Sequence, residues 1–293
     1  MLHGAIFYSE AADDSFISSL HTIRHVKWDS IISTLNRQLT FVSDDQLPVH
    51  CNMVIILDPD FTSYGFLAGL VRKGYHLFLP EKQQMNPDER MELIQLAEEG
   101  NTFIQIRNDL LFHPALLAQE KNRTKSKLID LRQVVTERSG SLQELLHRNL
   151  LMILRIVDSV PSRISVCAIP NTGFQPDVVN LHFNFNNGSA ASLTLSFNGK
   201  KKEHLLSVHD SSGLTNYNLD EIDLLSSSHI PDHENTLNSN NNLLLRQISF
   251  FSECVLKNDY RQFGLNEEAK TFSLIGKINR KLEMRAVVIS ELK

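Results

Sequence analysis

The fold is decided by residues 52–59, whose sequence is Asn-Met-Val-Ile-Ile-Leu-Asp-Pro. Within this stretch, Met53 to Leu57 form an unbroken apolar run, which is typical of a central parallel strand covered on both faces. The strand is expected to end at Asp58–Pro59, because proline has no N–H to donate to a sheet ladder. The segment therefore predicts an α/β fold built around a buried parallel sheet.

The segments around this run alternate between short apolar stretches and helical patterns, as in βαβ units. The sequence predicts strands at 5–8, 25–28, 75–79 and 102–106, and helices at 14–20 and 61–72. A third helix has a full set of end signals, namely Asn86 as cap, Pro87 in the first turn, Glu89 in the capping box and Gly100 after the end. The first third of the chain is therefore expected to be an α/β domain.

The second half is predicted to be a separate domain. From about Leu116 the composition changes and becomes basic and polar. The basic stretch 121–127 is interpreted as a solvated connection between two domains, 1–118 and 119–293. Around Asn187–Gly188, apolar residues alternate with Asn, His, Ser and Thr, which predicts a hairpin in an antiparallel sheet. The polar face of this sheet could meet water or pack on a second subunit. Helices are also predicted at 142–157, 243–256 and 267–281, a strand at 163–169 and a surface loop at 226–242.

The composition is that of an ordinary globular protein. The 293 residues are 42% hydrophobic and 22% charged, which disfavours disorder, collagen-like sequence and a coiled coil. The net charge of −5 provides no general attraction for nucleic acid or for an anionic membrane. No apolar run approaches the roughly 18 residues of a membrane span, and the N-terminus lacks the basic region of a signal peptide. A cytoplasmic protein is therefore expected.

The cysteine and histidine residues show no spacing typical of a metal or redox site. The three cysteines, Cys51, Cys167 and Cys254, lie far apart and are interpreted as buried core thiols in a reducing compartment. The proline between His229 and His233 prevents the regular helix that would align the two rings on a metal. The sequence therefore predicts no metal site.

Several motifs, taken together, resemble those of one enzyme family. The strand ending at Asp58–Pro59 precedes a helix ending at Lys73–Gly74 and then the run His-Leu-Phe-Leu-Pro-Glu-Lys at 76–82. In the second half, two phenylalanines precede Asn187–Gly188 in a similar spacing. The chain resembles the Gfo/Idh/MocA oxidoreductases, which have a strand with a Thr-Pro-like turn, a Gly-Lys-His-Val segment and a Glu-Lys-Pro motif. This sequence has Glu-Lys-Gln at 81–83, and the resemblance covers nearly the whole chain.

The resemblance implies a fold, a cofactor and a class of substrate. It implies an N-terminal Rossmann-like domain with a parallel sheet and a C-terminal α+β domain with a large, open, mainly antiparallel sheet. Members of the family bind NAD or NADP and act on a sugar, a cyclitol or a related polyhydroxy compound. They commonly form a homodimer through the C-terminal sheet. No nucleic acid and no membrane is expected among the partners.

The resemblance also assigns positions to the cofactor site. Ser9, Ala11 and Asp14 fall on the three glycine positions of the dinucleotide turn. Asp29 falls near the end of the predicted second strand, where a ribose-binding acid would lie. The remaining cofactor positions implied by the resemblance are Asp58, after the third strand, and Glu81, beside the family's lysine.

The dinucleotide turn departs from the family pattern in its charge. Glu10, Asp13 and Asp14 would bring three carboxylates close to a pyrophosphate. At ~4 Å and an effective dielectric constant of ~20, each such pair of like charges costs on the order of 4 kcal/mol. The alternative interpretation is an acidic helix N-terminus, in which an aspartate caps the helix and favours its dipole. The cofactor is therefore NAD, NADP or none.

Two residues are candidates for catalysis. Lys82 corresponds to the family's lysine, which holds and polarises the substrate oxygen, although a surface lysine is the alternative. The family's Asp-x-x-x-His-x-x-Asp helix, whose histidine is the acid/base, has its counterpart near His147. Aligning His147 with that histidine puts Gln143 and Leu150 on the aspartate positions, so that an ordinary helix histidine is the alternative.

Two hypotheses follow from these residues. The first is an NAD(P)-dependent oxidoreductase with an unusual cofactor turn, which uses Lys82 and His147 on a polyhydroxy substrate. The second is a catalytically inactive relative that keeps the fold as a ligand- or protein-binding module. The second hypothesis explains why the glycine turn, the proline of Glu-Lys-Pro and the acid/base helix are all altered.

Overall fold

The computed structural model describes residues 1–8, 14–33, 47, 50–81, 83–113, 115–116, 119, 126–136, 141–169, 176–197, 199–220, 239–259 and 265–291. Its chain forms two compact units. The first combines Met1–Asp109 with Glu234–Ala269, and the second combines Leu110–His233 with Lys270–Lys293. This division differs from the single boundary predicted after residue 118, because a late helix returns to complete the core of the first unit.

The described elements follow each other in this order along the chain. The strands are β1 (Leu2–Tyr8), β2 (Val26–Ser33), β3 (Met53–Ile56), β4 (His76–Leu79), β5 (Ile104–Ile106), β6 (Leu128–Val134), β7 (Pro161–Ile169), β8 (Val178–Phe185), β9 (Ala190–Ser196), β10 (Glu203–Asp210) and β11 (Gly213–Asn218). The helices are α1 (Asp14–Leu20), α2 (Tyr64–Arg72), α3 (Pro87–Glu99), α4 (Leu142–Val157), α5 (Ser239–Lys257) and α6 (Leu265–Glu291). Short 3-10 turns cover Pro59–Phe61 and Asp109–Phe112.

The first unit contains the parallel sheet that the apolar run predicted. Its strands are all parallel and lie in the order β2-β1-β3-β4-β5. Each of the four residues of β3 is fully buried, as expected of a strand with helices on both faces. The helix predicted at 61–72 begins only at Tyr64, because Pro59–Phe61 forms a separate 3-10 turn and Ser63 is the extended N-cap.

Helix α5 completes the core of the first unit. Its residues Ile248 and Phe251 are fully buried in the same cluster as Ile6, on β1. The ring of Phe251 stacks on Phe103 with 5.4 Å between centroids, and it makes an edge contact with Phe78 at 5.8 Å. The two halves of this core come from opposite ends of the sequence.

The second unit contains a six-stranded sheet in the order β11-β10-β6-β9-β8-β7. Neighbouring strands are antiparallel except for β6 and β9, which are parallel, so the prediction of a mainly antiparallel sheet is confirmed. The predicted hairpin is formed by β8 and β9. Gly188 in its turn has a φ of +81°, a value that favours glycine over any other residue.

The connection predicted at 121–127 is only partly described, and its last residue is not solvated. Lys127 is 3% exposed. Its Nζ donates hydrogen bonds to Gln119 O at 3.1 Å and to Ile156 O at 3.3 Å, near the C-terminus of α4. A cation is favourable at that end of a helix, because the macrodipole is negative there. Lys127 is therefore part of the second unit's core.

Candidate functional site

The carboxyl edge of the parallel sheet is where the first unit can form a ligand crevice. The chain places β2 on one side of β1 and then β3, β4 and β5 on the other side, so the order in which strands are added reverses between β1 and β3. In open α/β sheets, ligands bind outside the carboxyl ends of the strands at such a reversal. Tyr8, Ile56 and Leu79 are the last residues of β1, β3 and β4, so these strands end at this edge.

The structure describes only some of the residues that the sequence assigned to this site. Ser9, Ala11 and Lys82 lie outside the described residues. Asp14 is the first residue of α1, and only its backbone is described. Asp58, Glu81 and Asp29 are described in full.

Asp58 shapes the loop after β3. Its side chain is 6% exposed, and its Oδ1 accepts a hydrogen bond from Asp60 N–H at 2.9 Å. This contact caps the 3-10 turn Pro59–Phe61. At least one oxygen of the Asp58 carboxylate is thus engaged within its own loop.

Asp29 does not lie at the carboxyl end of its strand. The prediction that β2 ends at Trp28 was wrong, since the strand continues to Ser33. Asp29 is the extra residue of β2 where its register with β1 shifts. Its Oδ2 lies 2.6 Å from Nδ1 of His3, near the start of β1. Lys27 lies 3.4 Å from the other oxygen. The hydrogen bond from His3 and the nearby Lys27 cation hold the pKa of Asp29 below its usual value.

Glu81 lies in a turn at the carboxyl end of β4. It follows the buried residues Leu79 and Pro80 and is itself half-buried. Gln83 Nε2 donates to Pro80 O at 3.1 Å, and Gln84 N–H donates to the Thr62 hydroxyl at 2.8 Å. No periodic or motif signal in the sequence singled out Thr62, which falls inside the helix predicted at 61–72. In the structure it precedes α2 and is the C-cap of the 3-10 turn.

A second polar cluster joins α5 to the carboxyl end of β5. Arg107 makes a bidentate ion pair with Asp109, with both N–O distances at 3.0 Å. Gln247 on α5 is fully buried, and its Nε2 donates to Asp109 Oδ1 at 2.8 Å. The Oε1 of the same side chain accepts from Asn108 N–H at 2.9 Å. These contacts hold the edge of the sheet against the helix.

His147 is part of the packing of the second unit. It lies on α4, is 7% exposed and stacks on Phe272 of α6, with 5.0 Å between ring centroids and 16° between planes. An aromatic neighbour therefore covers one face of the imidazole ring that the resemblance assigned to acid/base chemistry.

A buried polar network also lies in the second unit. Asn149 Nδ2 donates to Gln133 Oε1 and to Leu145 O, each at 2.7 Å. Asn149 Oδ1 accepts from His204 Nε2 at 2.9 Å, which sets the tautomer of that histidine. Burial lowers the pKa of His204 to about 4, since its charged form is poorly solvated there. Asp220 opposes this shift, whereas Arg148 adds to it.

We expect this histidine to make the protein less stable in mild acid. The unfolded chain binds a proton at His204 near pH 6.5, whereas the folded chain does so only near pH 4. The free energy of unfolding should therefore fall as the pH drops through this window, by about 2 kcal/mol between pH 7 and 5. Urea unfolding followed by circular dichroism at both pH values measures the change. The variant His204→Gln keeps a donor for Asn149 without titrating, so an equal pH dependence in this variant would contradict the assignment.

The cysteines differ in their exposure. Cys51 and Cys254 are buried as predicted, and burial raises the pKa of each thiol to about 11. Cys167 is exposed on the edge strand β7, so its prediction as a core residue was wrong. Among the described residues, no group of three histidine, cysteine or acidic side chains could hold a metal ion. Across that same part of the chain, the helices are too short or too polar to span a bilayer.

Comparison with known proteins identifies the fold through structure alone. No protein-family model matches the sequence, and no curated protein is recognisably similar to it. A probable dehydrogenase from Thermotoga maritima is 10% identical, with 97% of each chain covered and a TM-score of 0.75. A putative myo-inositol dehydrogenase from Sinorhizobium meliloti 1021 is 10% identical, with 97% of this chain and 98% of that chain covered and a TM-score of 0.71.

A third similar structure was solved with a cofactor. It is GenD2 from gentamicin A biosynthesis in complex with NAD, which is 11% identical, with 95% of this chain and 93% of that chain covered and a TM-score of 0.70. These likenesses extend over both units of the chain, and at such low identity they establish the fold. The chain therefore has the same fold as these dehydrogenase structures, with a parallel-sheet unit and a unit built on a mainly antiparallel sheet, as its motifs predicted.

Proposed function

We propose that this protein is an NAD(P)-dependent oxidoreductase that acts on a sugar or another polyhydroxy compound. The observation that carries the proposal is the position of Glu81, at the carboxyl end of β4 in a dehydrogenase fold. There it matches the glutamate of the family's Glu-Lys-Pro motif, and Lys82 follows in the sequence. The similar structures include one with NAD and one described as a myo-inositol dehydrogenase, which favours this class of reaction.

The residues at this edge fit a dinucleotide in part. Gln83 Oε1 is buried and has no hydrogen-bond partner among the described residues, so it is available to an amide or hydroxyl donor of a ligand. The backbone that follows β1 and the Glu81 turn would hold the cofactor, with Ser9, Ala11 and Asp14 at the glycine positions. When bound, NAD(P) supplies the hydride acceptor. Lys82 would hold the substrate oxygen, and a base in the site would take the proton of its hydroxyl group.

The second candidate is a catalytically inactive relative that binds a small ligand or a protein. Two observations favour it. Glu10, Asp13 and Asp14 place negative charge where a pyrophosphate would need glycine backbone. His147 is packed against Phe272 and is 7% exposed, which leaves the proposed acid/base ring little access to solvent.

We also propose a homodimer built on the C-terminal sheet. On the outward face of β8, His182 and Asn184 are exposed and polar. In the same row across the sheet as Asn184, Leu128 is 60% exposed and Leu214 is 63% exposed, which is unusual for side chains of this size. A cytoplasmic location agrees with three free thiols.

Calorimetric titration with NAD, NADH, NADP and NADPH tests the proposed function. We expect the wild-type protein to bind at least one dinucleotide with micromolar affinity. The variant Asp14→Gly should bind more tightly, because it removes one carboxylate from the turn and restores a glycine. A screen over sugars and cyclitols, in which the absorbance of the reduced cofactor is monitored, then identifies the substrate. Binding by Asp14→Gly but not by the wild-type protein would instead support the inactive relative.

A further inference from the structure

One side chain joins two loops at the carboxyl edge of the parallel sheet. Thr62, which follows the 3-10 turn after β3, is fully buried. Its Oγ1 donates to Pro59 O at 2.6 Å and accepts a hydrogen bond from Gln84 N–H at 2.8 Å. Gln84 Nε2 donates to Asp60 Oδ1 at 3.1 Å, which adds a second bond between the same loops. We call this set of contacts the Thr62 clasp.

The clasp anchors the far end of the turn that carries Glu81. The near end of this turn is held by Leu79 and Pro80, which are both buried. Between the two ends, Gln83 Nε2 donates to Pro80 O at 3.1 Å and closes the turn on itself. Glu81 thus lies in a turn that is fixed on both sides, and Lys82 is the next residue of the sequence.

The clasp depends on a hydroxyl group rather than on packing. Thr62 Oγ1 serves both loops at once, because it donates within its own loop and accepts from the other. Valine has nearly the same shape but cannot accept the hydrogen bond from Gln84 N–H. Replacing the hydroxyl would therefore remove the part-buried bond between the loops and leave only the exposed bond from Gln84 Nε2 to Asp60 Oδ1, while the space between the loops stays filled.

We propose that Thr62 is a positioning residue, whose hydroxyl holds the turn that carries Glu81 in its working geometry. The inference rests on the proposed function and deepens it, since it assigns a role to a residue that acts through another segment. Groups that act on a substrate must be placed accurately, and a misplacement of ~1 Å can cost ~10²-fold in rate. A single buried hydroxyl at the base of the turn is therefore expected to control turnover.

The test compares Thr62→Val with Thr62→Ser and with Thr102→Val in the full-length protein. Thr102 is a matched control, because it is also buried in the first unit and its Oγ1 donates to Ala97 O at 3.4 Å. It precedes β5, so it lies toward the opposite edge of the sheet. Thr62→Val should lower kcat by ~10²-fold with little change in KM for the dinucleotide. Thr62→Ser should restore most of kcat, and Thr102→Val should keep it near the wild-type value.

Hydrogen exchange provides a readout that needs no substrate. The amide of Gln84 should exchange faster in Thr62→Val than in the wild type, Thr62→Ser or Thr102→Val. Equal kcat values and equal exchange rates for Thr62→Val and Thr102→Val would overturn the positioning role and leave the proposed function standing. A wild-type protein that neither binds a dinucleotide nor turns over any compound in the screen would overturn the proposed function, and with it the catalytic purpose of the clasp. Urea unfolding of every variant separates these results from a loss of fold.

Discussion

Phe251→Ala is expected to destabilise the first unit by about 3–5 kcal/mol, the range for removing a buried phenylalanine ring. Phe251 is fully buried on α5, where it stacks on Phe103 and makes an edge contact with Phe78. Alanine would leave a cavity between the helix and the sheet and would also remove both aromatic contacts. The effect is large because this ring connects the late helix to β4, through Phe78, and to the residue just before β5, Phe103.

The fluorescence of the single tryptophan, Trp28, reports this loss of stability directly. Trp28 packs against the same core, so its fluorescence during urea unfolding follows the first unit. Leu256→Ala is the matched control, because Leu256 lies on the same helix but is 48% exposed. It should change the free energy of unfolding by no more than about 0.5 kcal/mol. Equal midpoints for the two variants would show that α5 does not complete this core.

Lys82→Met is expected to lower kcat/KM by ~10²-fold or more, which is typical of removing one group that stabilises charge in a transition state. The resemblance assigns this lysine to hold and polarise the substrate oxygen. Methionine keeps a long, flexible side chain but has no charge, so dinucleotide binding should change little. Steady-state kinetics on the substrate identified by the screen, together with calorimetry of the cofactor, measures both quantities.

Lys73→Met is the control for this variant. Lys73 is an exposed lysine in the same unit, at the end of α2. Its replacement should leave kcat/KM near the wild-type value, because it lies away from the carboxyl edge of the sheet. If Lys82→Met keeps the wild-type kcat/KM, Lys82 is not part of the proposed site, and Glu81 is the residue to test next.

Local patterns in the sequence predicted several elements almost to the residue. The apolar run at 53–57 became β3, and the bounds predicted for α4, Leu142–Val157, are those observed. The capping box of α3 is also confirmed, since Asn86 and Glu89 exchange backbone and side-chain hydrogen bonds at 2.9 Å. These features depend on contacts within a few residues of the chain, which is why the sequence shows them.

Other elements were missed although their signal was present. In β6, the buried Ile129 and Leu131 alternate with the exposed Asp130 and Arg132, which is the pattern of a half-buried strand. The basic residues before it led to the interpretation of a solvated connection. Lys127 was placed in that connection too, yet it is buried because two backbone carbonyls receive its ammonium group.

The sequence by itself determined the parallel sheet and the hairpin at Asn187–Gly188. Periodicity, helix caps and turn residues are local, so they can be recognised without any knowledge of distant neighbours. Only the tertiary structure decided that α5 returns to the first unit and that Asp29 pairs with His3. The role of the Thr62 hydroxyl likewise depends on Gln84, which belongs to another loop. Such contacts join residues from separate elements, so no local pattern of amino acids contains them.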